Sequence, residues 1–164
     1  MAFGTDPRMA ETVTREVKRR ADKPLIVKLS PNVTDITEIA RAAEAGGADA
    51  LSLINTLLGM RIDIYRRRPI LANRMGGFSG PAVKPVAVRM VNKVYHAVRL
   101  PILGMGGVRT GEDVVEFIMA GATAVAAGTT NLVDPTGPIR ILDELTEVLA
   151  RLGAKDINEL RGII

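Results

Sequence analysis

The chain contains no cysteine and no tryptophan, and these absences exclude several kinds of function. Without a thiol it can form no disulfide, bind no metal through thiolates and use no cysteine as a nucleophile or base. Its two tyrosines and three phenylalanines offer few stacking platforms for nucleic-acid bases. The 22 basic and 18 acidic residues are also scattered along the chain. We therefore expect no nucleic-acid partner.

Long hydrophobic runs are absent too. No stretch approaches the roughly 18 apolar residues that a membrane-spanning helix needs. The first twenty residues, MAFGTDPRMAETVTREVKRR, are polar and lack the apolar centre of a signal peptide. We expect no membrane association and a cytoplasmic location.

What the sequence has in quantity is aliphatic side chains. Hydrophobic residues make up 47% of the chain, yet aromatic residues only 3%, which favours an α/β protein built on a buried parallel sheet. Asp6 and Pro7 predict the start of a first helix, with an apolar face repeated at Met9, Val13 and Val17. The pattern beyond predicts strands at 25–29, 50–54, 102–105 and 124–127, and helices at 36–45, 84–98, 110–119 and 139–152.

This order gives four βα units preceded by one helix, which indicates half of a (β/α)8 barrel of TIM type. A complete barrel takes about 250 residues, whereas this chain has 164. No linker rich in proline, glycine or serine divides it, so we interpret residues 1–164 as one domain. A half-barrel exposes two unpaired strand edges, which predicts pairing with a missing N-terminal half-barrel or self-association.

Two glycine-containing turns follow the last two predicted strands, at Gly106-Gly107 and at Gly128-Thr129. A backbone without a Cβ can approach a phosphate closely, and barrels commonly bind phosphate on the loops after their last two strands. The alternative is that these glycines only form tight turns. The hydroxyl residues after Gly128 favour a phosphate site.

Three polar residues at the ends of the first two strands are further candidates. Lys28 is the only charge in its strand, so we expect it to meet an anion or a polar ligand, unless it reaches water at the strand end. Asn55 and Thr56 could bind a planar heterocycle or could simply cap a turn. The only histidine, His96, is expected in solvent near a helix end.

The connection at 57–83 is unusually long for a compact α/β domain, which is typical of a functional loop. It contains three consecutive arginines and the glycine-rich motif GGFSGP.

Five segments together resemble the C-terminal half of the class 1 dihydroorotate dehydrogenases, and most of all their NAD-linked form. The segments are IVKLSPNVTDI, LSLINTLLGM, GGFSGPAVKP, GMGGVRTGED and AAGTTNL. The glycine turns alone occur in many phosphate-binding barrels, but VKLSPN followed by INT and GGFSGPA narrows the number of families that the chain could resemble.

The resemblance implies oxidation of dihydroorotate to orotate by hydride transfer to FMN, in pyrimidine biosynthesis. It implies that Asn55 and Thr56 hold the pyrimidine. It further implies that FMN is contacted by Lys28, Ile54, Gly80, Gly106, Gly107, Gly128 and Thr129. Implied partners are the dihydroorotate and orotate ligands and an electron-transfer subunit with FAD and an iron–sulfur cluster.

The resemblance also implies that a residue is lacking. In the NAD-linked form the catalytic base is a cysteine on a loop upstream of the segment that matches AFGTDP, so no catalytic residue is expected in this chain. Two alternatives remain open: a non-catalytic half-barrel that binds FMN or phosphate, and a barrel similar to that of dihydropyrimidine dehydrogenase.

Overall fold

The computed structural model describes residues 3–164, in which helices and parallel strands alternate. A short 3-10 helix, Phe3–Thr5, leads into the first α-helix. The six α-helices are α1 (Pro7–Lys18), α2 (Ile36–Ala45), α3 (Lys84–Tyr95), α4 (Gly111–Met119), α5 (Thr129–Val133) and α6 (Gly137–Leu152). Two further 3-10 helices lie at Pro81–Val83 and Ile157–Leu160.

Four strands form the central sheet: β1 (Ile26–Lys28), β2 (Ala50–Leu53), β7 (Ile102–Met105) and β8 (Ala124–Ala126). All neighbouring pairs are parallel, and the order is β1-β2-β7-β8. The predicted fold class is therefore confirmed, with four βα units after an initial helix. As predicted, β1 and β8 are the edges of this sheet.

Local capping explains where the helices begin. Asp6 accepts a hydrogen bond from the backbone N–H of Met9 at 3.1 Å, and Asp35 accepts one from Thr37 at 3.0 Å. At α4, Thr110 and Asp113 form a reciprocal capping box. These side chains satisfy backbone donors that have no partner inside the helix. The sequence positions of these caps account for the correct prediction of the three helix starts.

One face of the sheet packs against the helices. Leu51 and Leu53 of β2 and Ile102 of β7 point to this face and are almost fully buried, together with Phe117 of α4. The register pairs Val27 with Leu51 and Leu51 with Ile102, so these side chains form a row across the sheet. Apart from Phe117, these core side chains are aliphatic, as the composition predicted.

The other face of the sheet is more open. Ile26 and Lys28 of β1 lie on it, and Ile26 is 53% exposed. Ala124, in the same row as Lys28 on the far edge of the sheet, is also exposed. In a complete barrel this face would point to the interior.

The apolar face predicted for α1 is not where the helix packs. Met9, Val13 and Val17 are between 36% and 45% exposed, whereas Ala10 and Thr14 are buried. The reason is close packing against the end of α2: a Cβ added at Gly46 would lie 2.7 Å from the Cβ of Thr14. Small residues allow this approach, and the larger aliphatic residues remain outside it.

The long connection after β2 contains strands that the sequence pattern did not predict. β3 (Leu57–Met60) pairs with β6 (Met75–Phe78), and inside this pair β4 (Ile62–Asp63) joins β5 (Arg68–Pro69), both in antiparallel fashion. Three other differences concern helices: α3 ends three residues before the expected 98, α5 was not predicted, and α6 begins two residues before the expected 139. No helix among residues 3–164 is long and apolar enough to cross a membrane.

Candidate functional site

One pocket lies at the carboxyl ends of the four parallel strands. Its lining includes every residue that the sequence singled out for cofactor or substrate: Lys28, Ile54, Asn55, Thr56, Gly80, Gly106, Gly107, Gly128 and Thr129. These residues come from loops that are far apart in the chain and that the parallel sheet brings to the same end. The structure thus groups them, while their individual roles remain predictions.

Gly106 and Gly107 form the turn after β7, and both require glycine. Their φ angles are +128° and +83°, in the region that side-chain-bearing residues rarely adopt. A Cβ on Gly107 would lie 2.8 Å from the carbonyl oxygen of Gly80 and 2.9 Å from the Cβ of Lys84. The turn therefore fits tightly against the start of α3.

The backbone of these turns retains unused hydrogen-bond donors. Within residues 3–164, the N–H groups of Gly106, Gly107 and Gly128 donate to no acceptor. Backbone donors that converge on one concave site are suited to an anion.

Gly128 differs from the other two glycines. Its φ is −105°, and a Cβ added there would meet nothing within 4 Å. Neither a positive φ nor protein packing explains the glycine. Its backbone therefore faces open space in the pocket, where a ligand could approach closely.

Two hydroxyl groups connect the loops around the pocket. Thr129 donates from its Oγ1 to the Oγ of Ser79 at 2.9 Å, and Thr130 donates to the carbonyl oxygen of Val108 at 2.5 Å. The first bond joins the loop before α3 to the start of α5, and the second joins the turn after β7 to the start of α5. These three loops consequently hold one another in place.

Lys28 is the last residue of β1 and is exposed at the pocket. Its ammonium group forms no hydrogen bond or ion pair with any residue in the described part of the chain. It is thus a free cation, and the expected cost of burying it does not arise because this face of the sheet is open. Lys28 thus lies at the pocket and also reaches water, and its contact with an anion or a ligand stays a prediction.

Asn55 and Thr56 take part in the local turn that was considered as the alternative to substrate binding. The backbone N–H of Thr56 donates to the Oδ1 of Asn55 at 2.9 Å. Asn32 fixes the same turn from the loop after β1: its Nδ2 donates to the carbonyl oxygen of Thr56 at 3.0 Å, and its Oδ1 accepts from Leu58 at 2.9 Å. The Nδ2 of Asn55 has no acceptor among the described residues and remains available to a ligand.

Sequence reasoning missed some residues of this pocket. They are Phe78, Ser79, Val83, Met105, Ala126 and Ala127. Ser79 could have been found because it lies within the GGFSGP motif, but the bond to Thr129 depends on tertiary structure. The apolar members carry no polar signal that would distinguish them from core residues.

His96 follows the last residue of α3 as its C-cap and is exposed, as expected. Its ring makes an edge contact with Tyr95 at a centroid distance of 5.3 Å. It lines a different cavity that shares no residue with the pocket described above.

Comparison with known proteins supports one family. The family model described as dihydroorotate dehydrogenase matches residues 1–149. A relative in Alkaliphilus metalliredigens is 60% identical over 99% of this chain and 54% of its own length. Relatives in Lachnoclostridium phytofermentans and Bacillus cereus are 58% and 56% identical, over 55% and 52% of their lengths.

All three relatives are named dihydroorotate dehydrogenase B (NAD(+)), catalytic subunit. The chain spans about half the length of these curated relatives. The extent of the match and the level of identity agree with the resemblance found in the sequence. The chain belongs to the dihydroorotate dehydrogenase family.

Proposed function

We propose that this chain is the FMN-binding half of an NAD-linked dihydroorotate dehydrogenase, an oxidoreductase of pyrimidine biosynthesis. The observation that carries the proposal is that one pocket at the strand ends contains all nine predicted ligand residues. We infer the reaction from the family, and the pocket contains chemical groups that suit the ligands of that reaction. Residues 1–164 are proposed to act as one domain.

The pocket fits the phosphate of FMN. The unpaired N–H groups of Gly106, Gly107 and Gly128 provide donors, and the open space at Gly128 provides room for close approach. Gly80 and Thr129 complete this side of the site. Hydrogen bonds to a charged group contribute about 1.5–3 kcal/mol each, so the phosphate would account for much of the affinity.

Lys28 and Ile54 are proposed to face the flavin ring. Bound FMN would supply the hydride acceptor for the oxidation of dihydroorotate. The free ammonium group of Lys28 would place a positive charge beside the ring, which favours the acceptance of negative charge. Ile54 is only 4% exposed and would offer an apolar contact.

Asn55 and Thr56 are proposed to bind the pyrimidine of dihydroorotate and orotate. An amide both donates and accepts, so the free Nδ2 of Asn55 suits a ring carbonyl. The proton at the neighbouring carbon needs a base, and the proposed base is the cysteine expected outside this chain. We propose that electrons pass to NAD through a subunit with FAD and an iron–sulfur cluster, in the cytoplasm.

A second function is favoured for the chain by itself. The sequence contains no cysteine, and the inner face of the sheet is partly open. A chain with this composition could bind FMN without catalysis until a complementary half-barrel that carries the base covers that face.

FMN should bind much more tightly than riboflavin, which lacks the phosphate. Because several backbone donors would meet the phosphate, we expect a preference of at least about 100-fold. Titration of both flavins by fluorescence quenching measures it. Equal dissociation constants would contradict the phosphate site.

Lys28→Met should leave the fold intact, because Lys28 is exposed and unpaired in the described structure. The bound flavin should become harder to reduce, since a positive charge near the ring is removed. A spectroelectrochemical titration of the chain saturated with FMN gives the potential. An unchanged potential with a lowered melting temperature would make Lys28 a structural residue instead.

A further inference from the structure

A carboxylate outside the pocket contacts the loop that forms its phosphate side. Asp113 is in the first turn of α4 and is only 9% exposed. Its Oδ2 accepts from the backbone N–H groups of Arg109 at 2.7 Å and Thr110 at 2.9 Å. One oxygen therefore fixes the end of the loop that begins at Gly106.

The other oxygen of the same carboxylate holds the next helix. Lys84 donates from its Nζ to the Oδ1 of Asp113 at 2.6 Å. Lys84 is the first residue of α3 and lies directly against Gly107, where it would contact an added Cβ. Asp113 is thus bonded both to the loop that follows Gly107 and to Lys84, which packs against Gly107.

The ion pair is partly buried, and its charges are stabilised. The side chains of Lys84 and Asp113 are 26% and 12% exposed. Burial raises the pKa of Asp113, but hydrogen bonds from Lys84, Arg109 and Thr110 outweigh it and hold the pKa below its ordinary value. Hydrogen bonds to Asp113 and then Glu116 raise the pKa of Lys84. Both groups are consequently charged near neutral pH.

We infer that Asp113 and Lys84 are positioning residues for phosphate binding, which set the direction of the N–H groups of Gly106 and Gly107 without touching the ligand. The inference rests on the proposed function, because it assumes that these N–H groups meet the phosphate of FMN. Preorganised donors bind an anion more tightly than donors that must first be ordered.

Asp113→Asn is the most direct test. An amide has a single oxygen, so it can accept from Lys84 or from the loop, but it cannot replace both oxygens of the carboxylate. We expect FMN affinity to fall about tenfold, the equivalent of roughly 1.4 kcal/mol, while riboflavin affinity stays the same. Exchange of the Arg109 and Thr110 amide hydrogens should accelerate in the chain without flavin.

Glu112→Gln is the matched control. Glu112 precedes Asp113 in the same helical turn and has the same charge, but its side chain is 71% exposed and pairs with Arg151 at 3.4 Å. It contacts neither the loop nor Lys84 in the described structure. This variant should retain the FMN affinity and the amide exchange of the original chain.

Lys84→Met provides an independent variant if Asp113→Asn does not fold. It leaves the loop bonded to Asp113 but removes the ion pairs of Lys84 with Asp113 and Glu116, and it should weaken FMN binding in the same selective way. The inference is overturned if the original chain prefers FMN and neither variant changes that preference. If the original chain shows no preference for FMN over riboflavin, the proposed phosphate site is wrong, and the inference about Asp113 and Lys84 is then wrong as well.

Discussion

The chain alone is expected to oxidise dihydroorotate at a negligible rate. A positioned base typically contributes about 10²–10⁴-fold to a rate, and this sequence has no cysteine to serve as the proposed base. The partly open face of the sheet should lower the rate further. Water would reach the reacting groups there, and substrate contacts from the other half-barrel would be absent. Bound FMN should therefore remain oxidised when dihydroorotate is added.

Mixing with a separately produced N-terminal half-barrel should restore the reaction. The two edge strands, β1 and β8, and the open face between them are the surfaces that such a half would cover. Stopped-flow absorbance of FMN during addition of dihydroorotate measures the recovery. The control is the same N-terminal half with its loop cysteine replaced by alanine. This half should assemble with the chain but restore little reduction of FMN. Rapid turnover by the 164-residue chain as a soluble monomer would contradict both the half-barrel and the missing base.

Gly107→Ala and Gly128→Ala should have opposite consequences, although both glycines line the same pocket. At Gly107 the φ angle is positive, and the contacts with Gly80 and Lys84 leave no space for a methyl group. Alanine should therefore destabilise the fold by about 1–3 kcal/mol or more. At Gly128 nothing lies within 4 Å of an added Cβ. There we expect a change in stability within about 0.5 kcal/mol, but a loss of FMN affinity of at least about tenfold because the methyl group blocks the phosphate.

Urea denaturation and FMN titration separate the two effects. Gly4→Ala serves as the control for Gly128→Ala, since an added Cβ at Gly4 also meets nothing within 4 Å and Gly4 is not part of the pocket. It should alter neither stability nor affinity by much. Gly128→Ala with unchanged FMN affinity would show that no ligand approaches this backbone.

Local signals explain what the sequence could predict. The start of α2 follows from Asp35 as its cap, and its end follows from the two glycines after Ala45, of which Gly47 has a φ of +91°. The central strands are short, mainly apolar runs without alternation, which is typical of buried parallel strands. Because such strands end at the same side of a sheet, Lys28, Asn55, Thr56 and the two glycine turns could be expected there, whereas Ile54 and Gly80 were implied only by the family resemblance.

Other features depend on contacts that no local pattern reveals. β3 and β6 contain glycines and exposed apolar residues without a clear alternation of apolar and polar residues, so the sequence pattern did not reveal them as strands. They are recognised by their antiparallel pairing, in which Leu57 lies opposite Phe78. The orientation of α1 depends on the close fit of Thr14 against Gly46. Asp113 was not singled out in the sequence, because its bond to Lys84 spans 29 positions of the chain.

The central claim is that the N–H groups of Gly106, Gly107 and Gly128 bind the phosphate of FMN. The most direct measurement is a two-dimensional ¹H–¹⁵N NMR titration of the chain with FMN and, separately, with riboflavin. FMN should move the amide protons of these three glycines strongly downfield, as expected for charge-assisted hydrogen bonds, and riboflavin should leave them nearly unchanged. Shifts of equal size with both flavins, or shifts that spare the three glycines, would contradict the claim.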